Sequence, residues 1–326
     1  MQRTFSSIQK KALTAIALAA ALLPGMSAAD SNDTYPNTRV EVILPYSAGG
    51  GVDSMARAFS AEASKLTHQT WVVVNRPGAG GTVGFSALAH AHPNGYTVVF
   101  SPASALTNAP FLVNKMPFDA DAIQPICQVF ENVFALAVTP DSPIKSIQDL
   151  IEKAKANPGS ISYGHAGPGS VPQLSIVAIE KALGIKLNGI GYRGDGQMLP
   201  DLLGGHVDVG VPAISSLAGK NLRILAVLAD KRHPAFPDAP SMGDLGYPVT
   251  TPGLNGIYVP TGTPEPIVKK LEGLCQTIVE SKAFGEAAAN FSQVPAYLPA
   301  SQFKSRLKKT YDENAELTRD LDIKKE

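Results

Sequence analysis

From Val40 onward, short runs rich in β-branched residues alternate with stretches of helical periodicity. A chain patterned this way buries its apolar faces most readily as mainly parallel strands covered by helices, the α/β class. The strand-like runs are Val40–Pro45, Trp71–Asn75, Tyr96–Ser101, Phe134–Thr139, Ile161–Gly164, Gly189–Tyr192, Val207–Val211, Leu222–Leu228 and Gly256–Pro260. Between the first two, Val52, Met55, Ala56, Phe59, Ala63 and Leu66 recur at the spacing of one helix face. Ser146 and Asp149 stand as a capping box, which predicts a helix ending before Pro158-Gly159. Another helix is expected from near Ser170, and Pro264 to Phe284 and Ser301 to Leu321 read as two long helices packed on the outside. No Pro/Gly-rich linker separates the halves, so two lobes require the chain to cross between them more than once. The crossings are expected near Phe134 and Leu228, which makes the second lobe a continuous insert in the first.

At the N-terminus Arg3, Lys10 and Lys11 precede an apolar run from Ala12 to Leu23, then Pro24-Gly25 and the small residues Ser27-Ala28-Ala29. This is the pattern of a secretory signal peptide cleaved after Ala29, since the run is shorter than the roughly 20 residues of a membrane span. No Cys follows it to carry a lipid anchor. Removing residues 1–29 leaves 25 basic against 28 acidic residues, a balance that does not seek nucleic acid. Cys127 and Cys275 are able to pair in an oxidising compartment if the fold brings them together; the other reading is two buried small apolar residues. The six histidines are scattered, and no metal or other cofactor is expected.

Chemistry concentrates in loops that follow strands. The first, Pro45-Tyr46-Ser47-Ala48-Gly49-Gly50-Gly51-Val52-Asp53, runs straight into the amphipathic helix. Without Cβ atoms such a turn brings successive N–H groups close to an anion in line with the helix N-terminus, while Asp53 is expected as a helix cap. The second, Asn75-Arg76-Pro77-Gly78-Ala79-Gly80-Gly81, repeats the device one strand later, and two such turns on one sheet face each other. A third, Gly164-His165-Ala166-Gly167-Pro168-Gly169-Ser170, and a fourth, Tyr192-Arg193-Gly194-Asp195, belong to the insert. Ser170 is expected to cap its helix or to face the cleft; Arg193 is the cation best placed for a carboxylate, or a solvated surface residue; His165 is expected to line the pocket as a polar group rather than act as a base.

Nucleotide and hydrolase signatures are missing. There is no Gly-x-x-x-x-Gly-Lys-Ser/Thr loop, and positions 95–105 hold no acidic residue to bind a ribose. The segment Gly84-Phe85-Ser86-Ala87-Leu88 lacks the second glycine of a nucleophile elbow.

The ordered set Pro45-Tyr46-x-x-Gly49-Gly50-x-x-Asp53, Asn75-Arg76-Pro77-Gly78-Ala79-Gly80-Gly81, Pro93-Asn94-Gly95-Tyr96-Thr97, Tyr192-Arg193-Gly194 and Asp201-Leu202-Leu203-Gly204-Gly205 continues to Phe236-Pro237-Asp238-Ala239-Pro240-Ser241. It resembles the tripartite tricarboxylate transporter receptors, the Bug or TctC-type solute-binding proteins, over nearly the whole mature chain. The resemblance implies a two-lobe periplasmic binding fold, type II-like, each lobe a mainly parallel sheet flanked by helices with two crossovers at the hinge. Residues 30–133 and 229–326 are expected to form the first lobe and 134–228 the second. It further implies a monomer that captures a small organic carboxylate and delivers it to a permease of one large and one small membrane subunit. Carried over by position, the ligand contacts fall on Tyr46, Ser47, Ala48, Gly49 and Gly50, on Gly78, Ala79 and Gly80, and, from the opposite lobe, on Gly169, Ser170, Tyr192 and Asp208. Ser47-Ala48 departs from the family where a proline is usual, and Gln173 where a histidine is frequent. A secreted hydrolase or isomerase and a ligand sensor docking on a membrane receptor are the alternatives.

Overall fold

The computed structural model describes residues 35–247, 249 and 252–319. The expected signal peptide and its cleavage site lie outside the described residues.

In chain order, strands β1 (Val40–Leu44), β2 (Trp71–Asn75), β3 (Thr97–Pro102) and β4 (Ile123–Asn132) build the first sheet. The chain then enters a second sheet through β5 (Ala135–Val138), β6 (Ser162–His165), β7 (Asn188–Gly191), β8 (Val209–Gly210) and β9 (Arg223–Val227). It returns with β10 (Gly253–Pro260) and β11 (Pro295–Pro299). The first sheet runs β11-β4-β10-β3-β1-β2 and the second β7-β6-β8-β5-β9. Most strands in each sheet point the same way, but β10 lies antiparallel to both β3 and β4, and β5 antiparallel to both β8 and β9. The sheets are therefore mixed. A chain that leaves along β4 and comes back along its neighbour β10 must reverse direction.

Helices α1 (Gly51–Thr67), α2 (Thr82–Ala89), α3 (Ser104–Thr107) and α4 (Ala109–Leu112) connect the first strands, while α5 (Ile147–Ala156), α6 (Val171–Leu183) and α7 (Asp195–Leu203) cover the second sheet. Helices α8 (Glu265–Val279), α9 (Lys282–Ala289) and α10 (Ala300–Arg319) close the first lobe. The expected α1 face is buried at Met55, Ala56, Phe59 and Ala63, although Leu66 is exposed. Phe59 meets Phe100 of β3 and Phe284 of α9, with ring centroids 5.7 and 6.2 Å apart. Each such buried ring contributes about 2–3 kcal/mol. The expected capping box is present, with Ser146 Oγ accepting from Asp149 N and Lys145 N donating to the Asp149 carboxylate. The single helix expected over Pro264 to Phe284 is divided because Ser281 caps a new helix, its hydroxyl accepting from Phe284 N.

Cys127 on β4 and Cys275 on α8 form a disulfide with Cα atoms 6.6 Å apart, which resolves the two readings of these residues. The chain passes from β4 to β5 across Val133 and Phe134. The return differs. Val227 bridges Ser241, and Leu228 and Met242 belong to the core of the second lobe with Leu245, Tyr247 and Val249 packed on it. Apolar burial thus keeps Leu228, Met242, Leu245, Tyr247 and Val249 with the second lobe, and the chain rejoins the first sheet at Gly253 rather than near Leu228.

Candidate functional site

Parallel pairing of β1 with β2, Leu44 opposite Asn75, delivers the two glycine-rich turns to the same sheet edge. Side chains then bind the turns together. The Tyr46 hydroxyl donates to Gly80 O at 3.0 Å and lies 3.1 Å from Ser104 Oγ. Asn75 Nδ2 donates to Tyr46 O and to Asp53 Oδ1, each at 3.0 Å. Asp53 also accepts from Gly49 N and, through both oxygens, from Arg57. Burial works to raise its pKa, but the bonds from Arg57, Asn75 and Gly49 outweigh burial and hold the carboxyl below its ordinary range. The N-cap of α1 is Gly50 rather than the expected Asp53, which lies within the first helical turn and from there ties down the glycine-rich turn through Gly49 N.

The lobes meet through main chain. Ser47 N donates to Arg193 O at 2.9 Å, and Gly51 N to Ser216 Oγ at 2.8 Å. A Cβ on Gly80 would stand 1.8 Å from Pro168 O, and one on Gly51 1.8 Å from Ser215 Oγ. Glycine at these two positions is what lets the lobes close.

Between them lies a tightly closed cleft with a cavity volume of about 30 Å³. Gly51, Val171 and Asp195, the first residues of α1, α6 and α7, all line it. Helix starts carry N–H groups without intrahelical partners and a partial positive charge, so their convergence suits an anion. Ser170 makes no capping bond; its hydroxyl is buried without a partner among the described residues and lines the cleft, as does that of Ser47. Asp195 accepts from Ala213 N at 2.9 Å and Ser216 Oγ at 2.7 Å. Burial raises its carboxyl to about 6 despite these two bonds.

Of the residues singled out from the sequence, Tyr46, Ser47, Gly50 and Ser170 line the cleft. Ala48 and Gly49 are exposed beside it, and Gly78 and Ala79 lie behind Gly80 in a run of positive φ. Gly169 packs on Ala109 of the first lobe. Four expectations change. His165 is buried behind the third loop, where its Nδ1–H donates to Gly167 O at 3.1 Å and its ring lies 5.5 Å from that of Tyr163, so it holds the loop instead of lining the cleft. The Tyr192 hydroxyl turns back to Asp201 at 2.9 Å. Arg193 points its side chain to solvent and contributes its carbonyl. Asp208 accepts from Ser162 N and Oγ at the far end of the second sheet, because it precedes β8 rather than following it. Missed by the sequence reading were Ser104, Asn132, Phe134 and Asp195, all lining the cleft. Ser104 follows the end of β3 and Phe134 stands at the proposed crossing, so both carried a signal; Asp195 closes the fourth loop read from the sequence, where no ligand contact is assigned to it.

His165 yields a pH prediction. Burial lowers its pKa to about 4, outweighing the Gly167 bond, whereas the unfolded chain protonates near 6.5. It therefore removes about 3 kcal/mol of stability as pH falls from 6.5 to 4. Asp195 acts in the opposite sense, because its raised pKa adds stability as pH falls through about 6 toward the ordinary carboxylate range. His165→Asn keeps a donor for Gly167 O, and is expected to gain stability between pH 7 and pH 4.5 relative to wild type. Urea midpoints at the two pH values check this; identical pH dependence would refute it.

A model of the tripartite tricarboxylate transporter family receptor matches residues 55–322. A protein encoded in the gbd 5′ region of Cupriavidus necator is 33% identical over 296 residues, 89% of each chain. BugT of Bordetella pertussis is 33% identical over 286 residues, 85% of this chain and 87% of BugT. Among solved structures, the periplasmic binding protein BugD aligns with a TM-score of 0.84 at 28% identity, covering 90% of this chain and 100% of the other. Rpa4515 of R. palustris, solved with adipate, aligns at 0.81 and 25% identity, covering 87% and 98%.

Proposed function

Because the chain belongs to the tripartite tricarboxylate transporter receptor family, we propose that its cleft seats a small organic carboxylate beneath the closed lobes. The start of α6 in the cleft carries this reading, with the unpartnered hydroxyls of Ser47 and Ser170 supplying donors from opposite lobes. Tyr46, Ser47, Gly50, Ser104 and Ser170 are the contacts we assign. The adipate held by Rpa4515 agrees with a ligand of this class. Capture is non-covalent. The closed form is the one a permease of one large and one small membrane subunit receives, from a monomeric receptor exported to the periplasm and cleaved after Ala29.

Thermal shift of the mature chain against mono-, di- and tricarboxylates tests this. At a hundredfold excess over its dissociation constant, one of them is expected to stabilise the fold by about 3 kcal/mol. Stabilisation by none, together with turnover of an ester or amide, would replace the receptor reading with an enzyme.

A further inference from the structure

One charge in the cleft has no counterpart. The two acidic residues that line it differ sharply: Asp53 is paired in bidentate fashion with Arg57, whereas both bonds to Asp195 come from neutral groups and converge on Oδ2. No Lys, Arg or His is among the described residues lining the cavity. Ala213, which bonds Asp195 through its N–H, and Phe134 and Ala166 elsewhere in the lining add no charge to the cavity. Ser216 connects the carboxylate to Gly51 N, so the α1 start faces an acidic group of the protein itself on that side. The cleft is therefore bipolar, with hydroxyl and helix N–H donors around Ser170 and an uncompensated carboxylate at Asp195.

Resting on the carboxylate-receptor reading above, we propose that Asp195 makes the cleft selective for carboxylates that also carry a cationic nitrogen, with the ligand's ammonium group against Asp195 Oδ1. A second ligand carboxylate at that place would meet a like charge in a poorly hydrated cavity, and an alkyl end would leave the Asp195 charge buried and unpaired. With its carboxyl at about 6, Asp195 is mostly ionised at pH 7.5. An ammonium group there satisfies both requirements at once, and it distinguishes this receptor from one built for di- or tricarboxylates.

Titration calorimetry at pH 7.5 with matched ligands tests the assignment: α-amino acids and ω-amino carboxylates against alkanoates and dicarboxylates of the same chain length. At least one amino carboxylate is expected to bind tenfold or more tightly than both of its matched partners. Asp195→Asn, whose amide oxygen still accepts from Ala213 N and Ser216 Oγ, is expected to erase that preference. A wild-type preference for dicarboxylates or alkanoates overturns the proposal without any variant, and so does a preference that survives Asp195→Asn. If carboxylates bind with no ammonium preference, only the specificity falls; if no carboxylate binds, the receptor reading falls with it.

Discussion

Gly80→Val is expected to weaken ligand binding about a thousandfold, or about 4 kcal/mol, while both sheets remain folded. The glycine has φ of 60°, and a Cβ there would stand 1.8 Å from Pro168 O and 3.2 Å from Ser170 N. Both obstacles are main chain, so no rotamer change relieves them. The lobes must stay apart, and a ligand then keeps the contacts of one lobe only. Gly184→Val is the control, because Gly184 has nearly the same backbone conformation, φ 62°, with nothing within 4 Å of its added Cβ. Its left-handed strain costs about 1–2 kcal/mol of stability without touching closure. Calorimetry and small-angle scattering separate the two: Gly80→Val should remain expanded in the presence of ligand, and Gly184→Val should bind as wild type. Binding by Gly80→Val within threefold of wild type would mean that closure at this contact is not part of capture.

Loss of the Cys127–Cys275 bond is expected to cost about 4 kcal/mol of stability, in reductant or as the Cys127→Ala/Cys275→Ala double variant. The residues are 148 positions apart, so the bridge removes much of the freedom of the unfolded chain. Both ends lie in the first lobe, on β4 and α8, and the segment they enclose contains the whole second lobe. Affinity of the folded protein should hardly change, because neither cysteine lines the cleft. Urea titrations with and without reductant measure the effect, and a loss below about 1 kcal/mol would show that the covalent link contributes little beyond the packing around it.

Strands with dense β-branched runs, such as β2 with Trp71-Val72-Val73-Val74, were legible because periodicity and composition agree. The ten-residue β4 was not. Gln124, Pro125 and Gln128 interrupt its apolar run, and the strand accommodates Pro125 beside an irregularity in its pairing with β10. Strand β11 begins and ends with proline and lies at the sheet edge, where proline is tolerated but gives no strand signal. At the site, glycine runs after strands marked the right loops, since backbone freedom is written in residue type. The direction of a side chain within a loop is not. His165, Tyr192 and Asp208 each find a partner in their own lobe, and those partners, Gly167, Asp201 and Ser162, are decided by packing. Asp195 reversed the error: a residue suited to starting a helix reaches the cleft because Gly50 lies against it from the other lobe.

The two passages between lobes leave the first sheet at residues that pair with each other, Asn132 opposite Gly253, followed by Glu131 opposite Leu254. Topologically, the whole distal half is thus spliced into the tip of an ordinary β-hairpin. A tight two-residue turn inserted there would close the ladder and leave the remaining six-stranded body, disulfide included, with its register unbroken. The excised module would begin and end at neighbouring points, a geometry that favours transplanting it into another host as a single cassette.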